Sequence, residues 1–217
     1  MQYANPNAYY AARAAEYERV YDKPERQADL HQLWSLIPEL LRDSSVLEVA
    51  CGTGYWTQHI AKTARSIHAT DLAEATLAIA RAKALPPDRV SFHVADAMAL
   101  PDSLGSFDAA FAGFWWSHVP RQRIADFLAS LHGRLTPGAK VVLLDNLYVS
   151  GSSTPISRKS SDGDTYQRRK LSDGSGYEVL KNFPTEDELQ SDVKSVAKNV
   201  RYRAFGYYWL MEYESAA

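Results

Sequence analysis

Three carboxylates and two glycines in the first half of the chain have the spacing of a ligand site. In VLEVACGTGYW, residues 46–56, an apolar run carries Glu48 and passes into the turn Cys51-Gly52-Thr53-Gly54. Asp71 closes the next apolar run, SIHATD, and Asp96 follows a third, VSFHVAD. Gly52 and Gly54 permit a tight turn and let the backbone approach a ligand more closely than a Cβ would allow. If that turn opens a helix, its unpaired N–H groups favour a carboxylate or phosphate. Asp71, at the carboxyl end of a strand, stands where α/β folds grip ribose hydroxyls. Taken alone, Asp71 reads equally as the cap of LAEATLAIARAK, and Asp96 as the cap of a short helix. Glu48 inside an apolar strand is costly unless paired or hydrogen-bonded. The pattern indicates a nucleotide-type cofactor without naming it. Thr57 occupies the third glycine position of G-x-G-x-x-G, which counts against a nicotinamide dinucleotide, and no G-x-x-x-x-G-K-[ST] loop occurs.

These residues converge only if the runs that carry them lie side by side. Apolar runs of strand length at 46–50, 66–70, 90–94, 107–112 and 140–145 alternate with helical patterns at 53–64, 73–84 and 121–131. That alternation predicts an α/β fold, a doubly wound, mostly parallel sheet with helices on both faces. Pro86-Pro87 stops the second helix, and Thr136-Pro137-Gly138 turns into the fifth strand. Residues 150–176 are polar and rich in Ser and Gly, without an apolar period, and read as a loop insertion with a function. Regular structure resumes at 177–182. Thr185 to Glu188 then forms a capping box, and aromatic alternation over 201–213 closes the sheet.

Composition narrows the function. The 217 residues are 46% hydrophobic, enough for one domain with a substantial core, and the formal net charge is −2. Nucleic acid held by phosphate contacts needs a cationic face, so RNA and DNA fall in rank. The single cysteine, Cys51, excludes an internal disulfide, fits a reducing compartment, and reads as a small residue filling the turn. No basic stretch followed by an apolar core opens the chain, and no run has the length of a membrane span, so a soluble cytoplasmic protein is expected. No metal site is read, and a homodimer stays open.

The sequence E-V-A-C-G-T-G-Y-W, followed by T-D-L and V-A-D-A, resembles the class I, seven-stranded family of S-adenosylmethionine-dependent methyltransferases. The resemblance is clear over 43–146. It implies an antiparallel last strand, paired with a shorter one before it, and S-adenosylmethionine as cofactor with S-adenosylhomocysteine as product. It assigns the Gly52 to Gly54 turn to the methionine half of the cofactor, Glu48 to its ammonium, Asp71 to the ribose diol, and Asp96 with Ala97 to the adenine edge. Ala50, Thr53, Trp56, Leu72, Met98 and Gly113 complete that shell, and Tyr9 and Tyr21 reach it from an amino-terminal helix over the cofactor. The chain then divides into a helical lid (1–42), a cofactor-binding core (43–149), a substrate insertion (150–183) and a closing helix with strands (184–217).

The acceptor side offers several candidates. His118, in GFWWSHVP past the fourth strand, is the leading general base, and otherwise orders the Pro120 turn. Phe114, Trp115 and Trp116 read as an aromatic wall or as core. Tyr10, Tyr17 and Tyr21 share a helical face that suits packing or a lid, with Tyr10 and Tyr17 as further catalytic candidates. Asn146, Arg158, Tyr166 and Arg168 are candidate acceptor contacts, Arg158 and Arg168 within a basic cluster able to clamp a carboxylate or phosphate or simply to face solvent. The segments around Tyr166 and Lys181-Asn182-Phe183-Pro184 have the polar-aromatic character of chain that lies against a ligand. The expected activity is methyl transfer to N, O or S of a compact, aromatic or heteroaromatic metabolite. The alternatives are a cofactor-binding regulator without turnover and a protein or RNA methyltransferase.

Overall fold

The computed structural model describes residues 13–216, and Tyr9 and Tyr10 lie outside them. Seven strands form the main sheet in the order β3-β2-β1-β4-β5-β10-β9. They are β1 (Ser45–Val49), β2 (Ser66–Asp71), β3 (Val90–Val94), β4 (Phe107–Gly113), β5 (Leu135–Asn146), β9 (Ala197–Ala204) and β10 (Tyr208–Ser215). The first five pair in parallel, and β10 runs antiparallel to both β5 and β9. The antiparallel closing strand agrees with the expectation, but β9 is as long as β10, eight residues each.

The period of two explains the layers. Val46, Ala109, Phe111, Val142, Leu144, Tyr208 and Leu210 face one core; their neighbours Leu47, Ala110, Ala112, Val141, Leu143, Trp209 and Met211 face the other. Strands buried on both faces must read as continuous apolar runs, which is why they were easy to place. Helices α1 (Gln27–Leu40), α2 (Thr57–Ile60) and α3 (Glu74–Arg81) cover the first face through Leu30, Leu33, Ile37, Ile60 and Leu77. The second is covered by α4 (Ile124–His132) and α5 (Glu186–Val193) through Phe127, Leu128, Leu131, Leu189 and Val193. The Thr185 capping box opens α5 as expected.

Three expectations need correction. The helix over 53–64 shrinks to the four residues of α2, because the backbone spends Gly52 and Gly54 in left-handed conformations before it can wind. Thr136-Pro137-Gly138 lies inside β5, as an irregularity in its register with β4 rather than a separate turn. Most consequentially, residues 150–176 are no loop. They contribute to a three-stranded antiparallel meander, β6 (Ile156–Lys159), β7 (Thr165–Lys170) and β8 (Gly176–Leu180). Its strands carry charges and its connections carry Gly163 and Gly174 with positive φ, so turn chemistry was present while an apolar period was not. No helix among the described residues is long and apolar enough to cross a membrane.

Candidate active site

The strand order reverses between β2-β1 and β4-β5, and ligands of open α/β sheets bind beyond the carboxyl ends of the strands at such a point. There Ala50, Gly52 and Gly54 adopt φ of 52°, 56° and 73°. A Cβ on Gly54 would stand 3.1 Å from the Ala80 methyl, and one on Gly52 3.5 Å from the Tyr17 ring. The turn is tied down from β2: Cys51 N–H donates to the Thr70 carbonyl (2.9 Å) and Gly52 N–H to Asp71 Oδ2 (2.9 Å). Asp71 Oδ1 accepts from Ala73 N–H (2.8 Å) and Thr76 Oγ1 (3.1 Å). Asp71 is not the N-cap of α3, which is Ala73; it holds the entry to that helix and latches the glycine turn. Burial raises its pKa against these bonds.

Glu48 is 1% exposed, and its Oε2 has no hydrogen-bond partner among the described residues. Burial pushes its pKa up to about 8, opposed by nearby Thr57 and Lys83. Such an orphan is costly unless something cationic or hydrogen-bonding completes it. The short α2 offers little dipole, so the expected helix-end attraction for an anion is lost. Asp96 Oδ1 accepts from Met98 N–H (2.8 Å), closing a local turn with no helix directly after it, while Ala97 is buried and Met98 packs on the core. Leu72 is 45% exposed beside Asp71. Trp56 is buried among Tyr21, Phe111 and Phe114, and Gly113 is glycine because a Cβ would meet the Phe111 ring at 2.9 Å. These two support the site from behind.

The segment Ala14–Tyr21 is a 3₁₀ helix fastened over the turn: Thr53 Oγ1 donates to Glu18 Oε1 (2.7 Å) and Lys83 Nζ to the same oxygen (2.5 Å). Tyr17 and Tyr21 face a cavity of about 450 Å³ that Phe114, His118, Asn146, Arg168, Lys181 and Phe183 also line. Burial pushes the Tyr17 phenol up to about 12, and Tyr21 stacks on Tyr55 with ring centres 3.5 Å apart. Phe114, like Ala50, holds a left-handed φ, 59°, at a strand end. Strain of this kind gathers where a site needs it.

His118 lies on this cavity with Nδ1 2.7 Å from the Leu180 carbonyl. A carbonyl can only accept, so Nδ1 carries the proton and Nε2 is the basic nitrogen. Burial, then Lys181 and Arg169, hold His118 well below 6.5, so it is neutral. A buried ion pair supports it: Lys181 Nζ donates to Asp145 Oδ1 (2.8 Å) and Ser117 Oγ (2.6 Å), and Asp145 Oδ2 accepts from Ser117 N–H (2.9 Å). Although burial resists its ionisation, the Lys181 ammonium and the Ser117 N–H hold Asp145 below the usual carboxylate range. Asn182 pins the meander to the same loop through the Ser117 and Val119 carbonyls and Asp164.

Four candidates fall outside the cavity. Trp116 is 3% exposed and packs edge-on against Phe127 and Trp209, while Trp115 leans on Phe127 with its Nε1 buried, so the expected aromatic wall belongs to the core. Arg158 lies 3.7 Å over the Tyr166 ring and pairs with Glu178 at 3.1 Å, which satisfies both away from the cavity. The sequence reading passed over Arg26 and Tyr208, which line the cavity, and Asp145, which braces it. Arg26 gave no signal; Asp145, a carboxylate ending an apolar strand, repeated the cue of Asp71.

A model of the methyltransferase domain matches residues 46–138. The demethylmenaquinone methyltransferase of Staphylococcus aureus is 28% identical over 199 residues, covering 81% of this chain and 78% of its own. A DhpI–SAH complex superposes with a TM-score of 0.76 at 26% identity, over 97% of this chain and 95% of that one. A DhpI–SAM–HEP complex gives 0.75 at 28%, over 94% of each. The chain is a class I S-adenosylmethionine-dependent methyltransferase. The enzyme's own atoms fit that cofactor: a glycine cradle that side chains would fill, and an orphaned carboxylate able to meet an ammonium.

Proposed function

We propose that the enzyme methylates an N, O or S atom of a small molecule that enters the cavity beside His118. The carrying observation is the double position of Tyr17, which packs against Gly52 and lines the cavity, so the two compartments meet at one ring. When bound, S-adenosylmethionine supplies an electrophilic methyl group on a sulfonium sulfur. In this reading Glu48 holds its ammonium, Asp71 its ribose, Leu72 the face of its adenine, and Asp96 with Ala97 the adenine edge. The enzyme then has to align the acceptor and exclude water. The 3₁₀ segment bearing Tyr17 and Tyr21 covers the turn, and neutral His118 takes the proton from an acceptor hydroxyl or ammonium through Nε2. The name of the Staphylococcus relative, with its small-molecule acceptor, supports the size class. Of the expected aromatic wall only Phe114 remains on the cavity, joined by Tyr17, Tyr21, Phe183 and Tyr208, which keeps a ring-bearing acceptor in view.

Calorimetric titration with S-adenosylmethionine and S-adenosylhomocysteine, with NADH as control, tests the first half. Micromolar binding of the sulfur compounds alone is expected; failure of both to bind overturns it. Methyl transfer to small acceptors, lost in His118→Ala, tests the second.

A further inference from the structure

The cavity's charge departs from that of the chain. The formal net charge of the whole is −2, yet among the described lining residues eight are arginine or lysine and a single one, Glu16, is a carboxylate. Arg26 is the most telling. It is 7% exposed, and among the described residues its guanidinium donates only to neutral groups: Nη1 to Asn146 Oδ1 (3.1 Å), Nε and Nη2 to Ser152 Oγ (3.3 and 3.0 Å). The rings of Tyr207 and Tyr208 complete its surroundings at 5.3 and 5.7 Å. Glu25 touches this group only through the Ser152 hydroxyl, at 2.9 Å. Lys181, 4% exposed, commits two of its three N–H bonds to Asp145 and Ser117. Arg168 and Lys170, on β7, make no ion pair with any described residue.

Arg26 and Lys181 are buried and Lys23 and Arg169 half-buried, and gathering these cations around one cavity is unfavourable twice over, through lost hydration and through mutual repulsion. Arg26 and Arg169 both act against the protonation of Lys181. An arrangement of this kind is compensated when an anion enters it, and a guanidinium fork is the geometry that grips a carboxylate or phosphate through two parallel bonds.

We propose that the methyl acceptor carries a carboxylate or phosphate group, anchored in the cavity by Arg26, Lys181 and Arg168. The inference rests on the methyltransferase reading above and names its substrate class. The anion is the handle. It fixes the molecule from the side of β5 and β7, so that the atom to be methylated lies within the cavity that His118 shares.

The test adds inorganic phosphate or acetate to the full chain saturated with S-adenosylhomocysteine, followed by calorimetry and by amide chemical shifts. Saturable binding of either anion is expected, and which of the two binds tells a phosphate handle from a carboxylate handle. Arg168→Gln, at an exposed position, should weaken that binding by about tenfold. Arg26→Lys should also weaken it, since a point charge replaces a fork. Arg158→Gln, on the same small sheet but paired with Glu178, should leave it unchanged. If S-adenosylhomocysteine binds and neither anion does, the anionic acceptor is overturned while the methyltransferase reading stands. Binding that ignores both Arg168→Gln and Arg26→Lys places the anion elsewhere and overturns it as well. If S-adenosylhomocysteine itself fails to bind, the underlying reading falls and takes this one with it.

Discussion

Beyond the ends of β1, β2 and β3 the site presents Glu48, Asp71 and Asp96, whereas residues 13–26, β5 and the small sheet bring Arg26, Arg168 and Lys181 to the cavity. One side suits a cationic ligand group and the other an anionic one. They also differ in how the chain builds them. The acidic side comes from one continuous stretch, 46–98, in which each carboxylate ends or interrupts an apolar strand. The basic side is collected from distant parts of the chain and assembled by contacts such as Arg26 with Asn146 and Lys181 with Asp145. On the proposed reading, a cofactor shared by many enzymes is met by a local motif and an acceptor by assembly.

Substitutions on each side should keep that division or blur it. His118→Ala should lower kcat by roughly 10²–10⁴ for an acceptor that must lose a proton, with cofactor affinity unchanged. Equal turnover would return His118 to a structural role. Because burial holds its pKa well below 6.5, the acid limb of kcat/KM for the unaltered enzyme should lie well below that pH.

Lys181→Met leaves Asp145 buried without its countercharge and should cost ~3–5 kcal/mol in urea unfolding, part of which Asp145→Asn in the same chain should restore. On the acidic side the signature is pH. Glu48 has its folded pKa raised to about 8 from the ordinary 4.5. The folded state therefore holds the proton more tightly, and the contribution of Glu48 to stability is fully present below pH 4.5 and is lost as pH rises to 8. Glu48→Gln should flatten that decline, a difference on the order of 5 kcal/mol between the two proteins above pH 8 without cofactor. Identical pH profiles would mean that Glu48 is paired in solution.

Asp71→Ala should weaken S-adenosylmethionine binding by about 1–3 kcal/mol, since both the turn latch and the proposed ribose contact go. An unchanged affinity in a folded protein would sink the ribose assignment. The smallest effect is expected for Trp115→Phe, which should cost about 1 kcal/mol of stability and leave the KM of the acceptor where it was. A raised KM would put Trp115 back at the cavity.

Legibility followed the same division. Strands β1 to β4 lie within a residue of their expected bounds because double burial leaves an unmistakable apolar run. The glycine turn and its three carboxylates were legible for the reason that they are local. The helix over 53–64 was overextended, since the left-handed turn consumes residues that look helical by composition. The meander escaped because alternation between Arg, Lys, Tyr and Gln carries no apolar face to mark a strand. Arg26 escaped for another reason: its partners Asn146 and Ser152 lie far along the chain, and nothing near Arg26 announces them.

The small sheet leaves the chain after β5 and rejoins it before α5, sharing no strand pairing with the seven-stranded sheet. Its attachment lies chiefly in the bonds of Asn182 and Asp164 to the loop around Ser117 and Arg121, of Lys181 to Asp145 and Ser117, and of His118 to the Leu180 carbonyl. The insertion is thus a cassette in evolutionary terms. On the proposed reading, drift in its strands would alter which molecule is methylated while selection on the cofactor grip, elsewhere in the chain, went on undisturbed.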